Sequence, residues 1–98
     1  MSANKIVNTT PYELSYTFAA FKQLENLDKT ARTLIAVYMT NKIDGCADPR
    51  AYGGPLHGNL RGSWKYTIGS YRTICDINDT THIVKVVKVA SRGEAYKR

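Results

Sequence analysis

Trp64-Lys65-Tyr66-Thr67-Ile68-Gly69-Ser70-Tyr71-Arg72-Thr73-Ile74-Cys75-Asp76-Ile77 is the stretch on which the fold turns. Two β-rich runs flank Gly69-Ser70, a pair suited to a two-residue hairpin turn. Such a loop fixes the register. Ile68 then faces Tyr71, Tyr66 faces Thr73 and Trp64 faces Cys75, while Thr67 faces Arg72 and Lys65 faces Ile74 on the other surface. One surface of the hairpin is aromatic and apolar; the other carries Lys65 and Arg72.

Working outward, Ile83 to Ala90 is a β-branched run and reads as a central or near-central strand. Its Lys85 and Lys88 have opposite parity, so one lies on the apolar side or a bulge intervenes. Tyr12 to Tyr16 alternates Tyr12, Leu14 and Tyr16 against Glu13 and Ser15, as a strand with one buried face does. Thr17 can cap a short helix in which Ala20, Phe21, Leu24 and Leu27 share a face. Asp28 ends it and opens a second helix, Lys29 to about Asn41, with Ala31, Leu34, Ile35, Tyr38 and Met39 in helical spacing. Two such helices need a sheet to cover their stripes. The expected fold is therefore α+β: a small curved antiparallel sheet of about four strands with a two-helix hairpin on one face. Residues 1–11 are read as a lead and 12–98 as a single domain. From Cys46 to Asn59 runs a Gly- and Pro-rich connection.

The totals agree with one domain. A chain of 98 residues is too short for two ordinary cores. Hydrophobic residues at 43% and charged residues at 22% describe a globular rather than a disordered chain. Fourteen Lys and Arg against eight Asp and Glu leave a net charge of +6, which favours a polyanionic partner. Cys46 and Cys75 lack any paired spacing for zinc or redox work; two free thiols in a cytoplasmic protein are expected. No run approaches membrane-spanning length.

Gly-rich phosphate loops, GxSxG elbows, HExxH motifs and metal-binding carboxylate clusters are all missing, so neither a metal nor a cofactor is expected. What remains is cationic and aromatic: Lys65, Arg72, Arg92 and Tyr96, with His57, Arg61, Lys85, Lys88, Lys97 and Arg98 as RNA-binding neighbours. Metal-free cleavage of RNA needs a base for the 2′-hydroxyl, donors for the charged phosphorane and a proton for the departing 5′-oxygen. Arginine suits the second task, because its planar fork meets two phosphate oxygens at once. Lysine becomes a base at neutral pH only beside other cations, a neighbourhood that Arg72 offers to Lys65. The same pair also fits an ordinary solvated sheet face.

LENLDKTARTLIAVYM, GGPLHGNLRGSWKYTIGSYRTICDI and VVKVASRGEAYKR, in this order, resemble the RelE/ParE superfamily of bacterial toxins from toxin–antitoxin pairs. The most specific parts are the run from Pro55 to Trp64, Gly69 to Arg72, and Arg92 to Tyr96. The resemblance implies a ribosome-dependent endoribonuclease of the RelE type, which cuts mRNA in the ribosomal A site by 2′-hydroxyl attack. It casts Lys65 as activating base, Arg72 and Arg92 as phosphate ligands, and Tyr96 as the residue that stacks on or orients the nucleotide. Thr67 and Ser91 stand where many relatives carry a second basic residue and a histidine. The ParE branch, which inhibits DNA gyrase without cutting RNA, is the alternative. A binding module that grips RNA without cutting is a third reading. The partners implied are a RelB-like antitoxin, the ribosome and its mRNA, with operator DNA reached only through the antitoxin complex.

Overall fold

The computed structural model describes residues 10–93. The hairpin is the most local pairing of the sheet, its two strands separated only by Gly69-Ser70. Trp64–Ile68 (β3) and Tyr71–Asn78 (β4) pair antiparallel in the register anticipated above, from Ile68 opposite Tyr71 to Trp64 opposite Cys75. Gly69 supplies the positive φ of 60° that the tight turn requires.

β4 pairs on its other side with Ile83–Ser91 (β5), and here the parity of the lysines is resolved. Cys75 pairs with Val86 but Ile74 pairs with Lys88, so Val87 is an extra residue, a β-bulge. The bulge returns Lys88 to the face of Lys85 while Val84, Val86 and Val89 all stay in the core. Glu13–Tyr16 (β1) lies outside β5 and Gly54–Pro55 (β2) outside β3, giving the order β1-β5-β4-β3-β2 among the described residues.

Two details correct the expected sheet. It has five strands rather than about four, because the long connection contributes the two-residue β2. It is also mixed, since β1 runs parallel to β5, with Leu14 beside Val84 and Tyr16 beside Val86. Connectivity explains this. The helical hairpin returns the chain to the start of β1, where Gly45 and Cys46 exchange backbone hydrogen bonds with Tyr12. β3 is entered at that end and runs with β1, and the two antiparallel pairings β3–β4 and β4–β5 then bring β5 parallel to β1.

Phe18–Glu25 (α1) and Lys29–Tyr38 (α2) cover one face of this sheet. Both caps are those expected: the Thr17 and Asp28 side chains accept from the N–H of Ala20 and Ala31, each at 3.0 Å. α2 runs on into a wider π-type turn, Met39–Ile43. Ala20, Leu24, Ile35 and Met39 meet Tyr66, Cys75, Val84, Val86 and Val89 in the core. Burial pushes the Cys75 thiol up to about 12, as for an inert buried hydrophobe, and both cysteines are free.

The inward stripe is narrower than helical spacing suggested. Leu34 is 53% exposed and Phe21 45% exposed, although both fit the periodic pattern. A helix advances about 100° per residue, so Leu34 lies roughly one residue step to the side of the line centred on Ile35. Phe21 is similarly displaced and packs edge-on against Tyr16 instead, with centroids 6.5 Å apart. The sheet accepts only the central line.

Gly53, with φ of 71°, enters β2 where a Cβ would collide with the Lys65 carbonyl oxygen and crowd the Tyr66 ring at 2.8 Å. Gly53→Ala is expected to cost at least about 1–2 kcal/mol from the left-handed backbone alone, before the collision with the carbonyl is counted. Urea unfolding checks it; an unchanged midpoint would show that β2 moves away freely.

Candidate functional site: a cationic sheet face

The face of the sheet turned away from the helices is built by alternation. Lys65, Arg72, Ile74, Asp76, Lys85, Lys88 and Ala90 share it, because their pairings are Lys65 with Ile74, Ile74 with Lys88, Arg72 with Ala90 and Asp76 with Lys85. Ile74 thus has a lysine on each side in one row across three strands. Arg72 occupies the next row, diagonal to both lysines, a separation of about 7–8 Å in an antiparallel pair. Lys65 and Lys88 each also make a contact within the protein.

Arg72 is held near its own turn. Its Nη1 donates to the carbonyl of Tyr71 at 3.1 Å and, more weakly, to that of Gly69 at 3.5 Å. Its Nε is buried and has no hydrogen-bond partner among the described residues. A buried donor without an acceptor costs about 1–3 kcal/mol, which an incoming oxygen removes. Arg92 follows β5 directly, and its backbone N–H donates to the Ser70 carbonyl at 2.9 Å. Both arginines therefore sit at the turn end of the sheet.

Other candidate residues divide by position. Leu56 and Ile74 are buried together, with Leu60, Val87 and Ala90 around them, so the segment that carries His57 and Arg61 is anchored on the cationic face. The Leu56 N–H donates to the Ser63 carbonyl at 3.1 Å and closes that loop at its base. His57 and Arg61 are exposed at its surface. Lys85 lies apart, towards the far end of the sheet, opposite Asp76 and beside Ser15. Thr67 is exposed on the same face as Arg72, which it opposes across the hairpin. Tyr96, Lys97 and Arg98 lie outside the described residues. Among the described residues no three His, Cys, Asp or Glu side chains gather as a metal centre requires.

A second polar cluster went unread in the sequence. Asp79 accepts from the Tyr12 hydroxyl at 2.7 Å and from Arg50 Nη1 at 2.9 Å. Arg50 and Tyr12 hold the Asp79 carboxyl below the usual range, and the bond to Asp79 raises the Tyr12 phenol. His82 stacks on Tyr12 with centroids 4.4 Å apart. The cluster ties β1, the long connection and the β4–β5 turn together, so its part is structural. No local pattern signals it, since its members are 29 and 67 positions apart.

Residues 14–96 match the family model described as the ParE toxin of the type II toxin–antitoxin system parDE. The chain belongs to that toxin family. Toxin RelG of Mycobacterium tuberculosis (strain ATCC 25618 / H37Rv) is 31% identical over 88 residues, 90% of this chain and 99% of that one. Toxin RelE of the same strain is 25% identical over 87 residues, 89% and 88% of the two chains. A chain in the crystal structure of the M. tuberculosis toxin–antitoxin complex RelBE2 shares the fold, with a TM-score of 0.75 at 24% identity, over 87% of this chain and 95% of that one. Within the family this toxin is thus RelE-like in sequence and in fold, as the motifs around its hairpin implied. No helix among the described residues is long and apolar enough to cross a membrane.

Proposed function

We propose that this toxin is a ribosome-dependent endoribonuclease that cleaves mRNA in the A site without a metal, and that a RelB-like antitoxin neutralises it. The observation that carries the reading is the gathering of Lys65, Lys88 and Arg72 on one sheet face, with the buried Nε of Arg72 unpartnered among the described residues and Arg92 at the same end. Lys65 takes the proton of the 2′-hydroxyl, whose oxygen then attacks the adjacent phosphorus. Arg72 and Arg92 hold the non-bridging oxygens as their charge grows. The bond to the 5′-oxygen breaks, that oxygen gains a proton, and a 2′,3′-cyclic phosphate and a 5′-hydroxyl result. Tyr96 orients the nucleotide. Lys88, Lys85, Lys97, Arg98 and the loop residues His57 and Arg61 hold the RNA backbone.

The RelE and RelG relatives and the likeness to a toxin crystallised with its antitoxin support the partner. Operator DNA is reached through that complex rather than by the toxin alone. A ribosomal target makes the toxin cytoplasmic. Thr67 favours a second reading, gyrase inhibition without cleavage, because it leaves a hydroxyl opposite Arg72 where acid–base chemistry gains from a charge.

Primer extension in a translating extract separates the two. Cuts inside codons that appear only during translation are expected, with supercoiling by gyrase unaffected. Intact messages together with blocked supercoiling would replace the nuclease by the gyrase inhibitor.

A further inference from the structure

β5 changes neighbours halfway along its length. Among the described residues, β1 covers its outer edge from Ile83 to Val86, and the seam closes where the Thr17 N–H donates to the Val86 carbonyl at 2.9 Å. The chain then leaves the sheet as α1. At the other end of β5 the Arg92 N–H donates inward, to the Ser70 carbonyl just ahead of β4. Backbone groups alternate between the two sides of a strand, so Ala90 and Lys88 also face β4 while Ser91 and Val89 face outward. Val86 faces outward as well, and only the extra residue at Val87 reconciles the two ends.

The bulge therefore aims the Val89 N–H at an edge that β1 has already left, where an unpaired donor leaves the strand loosely held. Gln23 closes that gap. Its Oε1 accepts the Val89 N–H at 2.8 Å, across 66 positions of sequence. α1 keeps Gln23 in place, because Ala20 and Leu24 of the same helix are buried in the core with Val86 and Val89. Lys88, the residue before Val89, stands on the cationic face beside Ile74 and across it from Lys65.

We propose that Gln23 is a positioning residue for Lys88. By holding the Val89 N–H it pins the outer arm of the bulge, and the bulge decides which face carries Lys88. A strand without the extra residue would pair Lys88 with the buried Thr73 and turn it into the core. With the arm loose, Lys88 loses the fixed place from which it meets an RNA phosphate, a role that rests on the RNA-cleaving reading given above. Gln23 acts through the backbone of β5 and not on the RNA.

The probe is a fluorescent single-stranded RNA with 2′-O-methyl groups, which removes the attacking hydroxyl, titrated with the full chain at several salt concentrations. Losing one phosphate contact flattens the slope of log affinity against log salt by about 0.7 on a single strand. Lys88→Ala is expected to show that loss, and Gln23→Leu to flatten the slope in the same direction. A general loss of stability would leave the slope where it was. In the Lys88→Ala background, Gln23→Leu is expected to change nothing further. Amide exchange followed by NMR reads the bulge directly: the Val89 N–H should exchange at least about tenfold faster in Gln23→Leu, and at the parent rate in Gln23→Glu, which keeps an acceptor. A slope that either single variant leaves unchanged, further flattening in the Lys88→Ala background, or Val89 exchange indifferent to the loss of the acceptor overturns the inference. RNA binding that follows the expected pattern while translated messages stay intact would defeat the nuclease and retain Gln23 as the support of Lys88. A parent chain that binds no RNA overturns both.

Discussion

Arg72→Ala is expected to lower the rate of the proposed mRNA cleavage on translating ribosomes by about 100- to 1000-fold, the usual consequence of removing one preorganised donor from a charged transition state. Arg72 meets the requirement for preorganisation because its Nη1 is already anchored on the Tyr71 carbonyl, and its Nε is buried with no acceptor among the described residues. The phosphorane gains more from such a donor than the substrate does, so the loss falls on the chemical step. Arg72→Lys is expected to recover only part of the rate, since an ammonium is a point charge and not a fork. Arg92→Ala, at the same end of the sheet, is expected to weaken the proposed cleavage as well. The measurement is the rate at which full-length message disappears, with primer extension locating the cuts and circular dichroism confirming the fold. Unaltered cleavage by both alanine variants would remove the arginines from the mechanism.

The second large effect is on stability. Tyr66→Ala is expected to cost about 3–5 kcal/mol, a major part of the roughly 5–15 kcal/mol available to a domain. Tyr66 has no exposed surface, stands in the middle of β3, and donates its hydroxyl to the Pro49 carbonyl at 2.8 Å. Burial pushes its phenol well above the ordinary value, so it remains a donor throughout the usual pH range. Tyr66→Phe keeps the ring but strands that carbonyl, and about 1–3 kcal/mol is expected for it. Urea unfolding of both variants separates packing from the hydrogen bond. If the phenylalanine variant lost as much as the alanine one, the ring would not be the anchor.

The residues of the hairpin carried their own register, because a two-residue turn leaves the pairing no freedom. Lys65 and Arg72 were therefore placed on one face by sequence alone, and the caps at Thr17 and Asp28 were equally local. Lys88 was different. Its strand contains one residue too many for strict alternation, and only the pairing of Ile74 with Lys88 beside that of Cys75 with Val86 shows which way the bulge throws it. Leu34 and Phe21 were misplaced for a related reason. A helical period names an apolar arc, but the width of that arc which is buried depends on the surface beneath.

What the amino-acid order determined by itself was everything governed by neighbours within a turn or a two-residue loop: two capped helices, a hairpin, and a cation pair on one surface. Tertiary structure decided whatever requires residues far apart in the chain to meet. That includes the parallel seat of β1 beside β5, the Asp79 clamp on Arg50 and Tyr12, the leucine-anchored loop over Ile74, and the Gln23 bond to the edge of β5. Distant contacts depend on the geometry of the whole sheet, which no short window of sequence encodes.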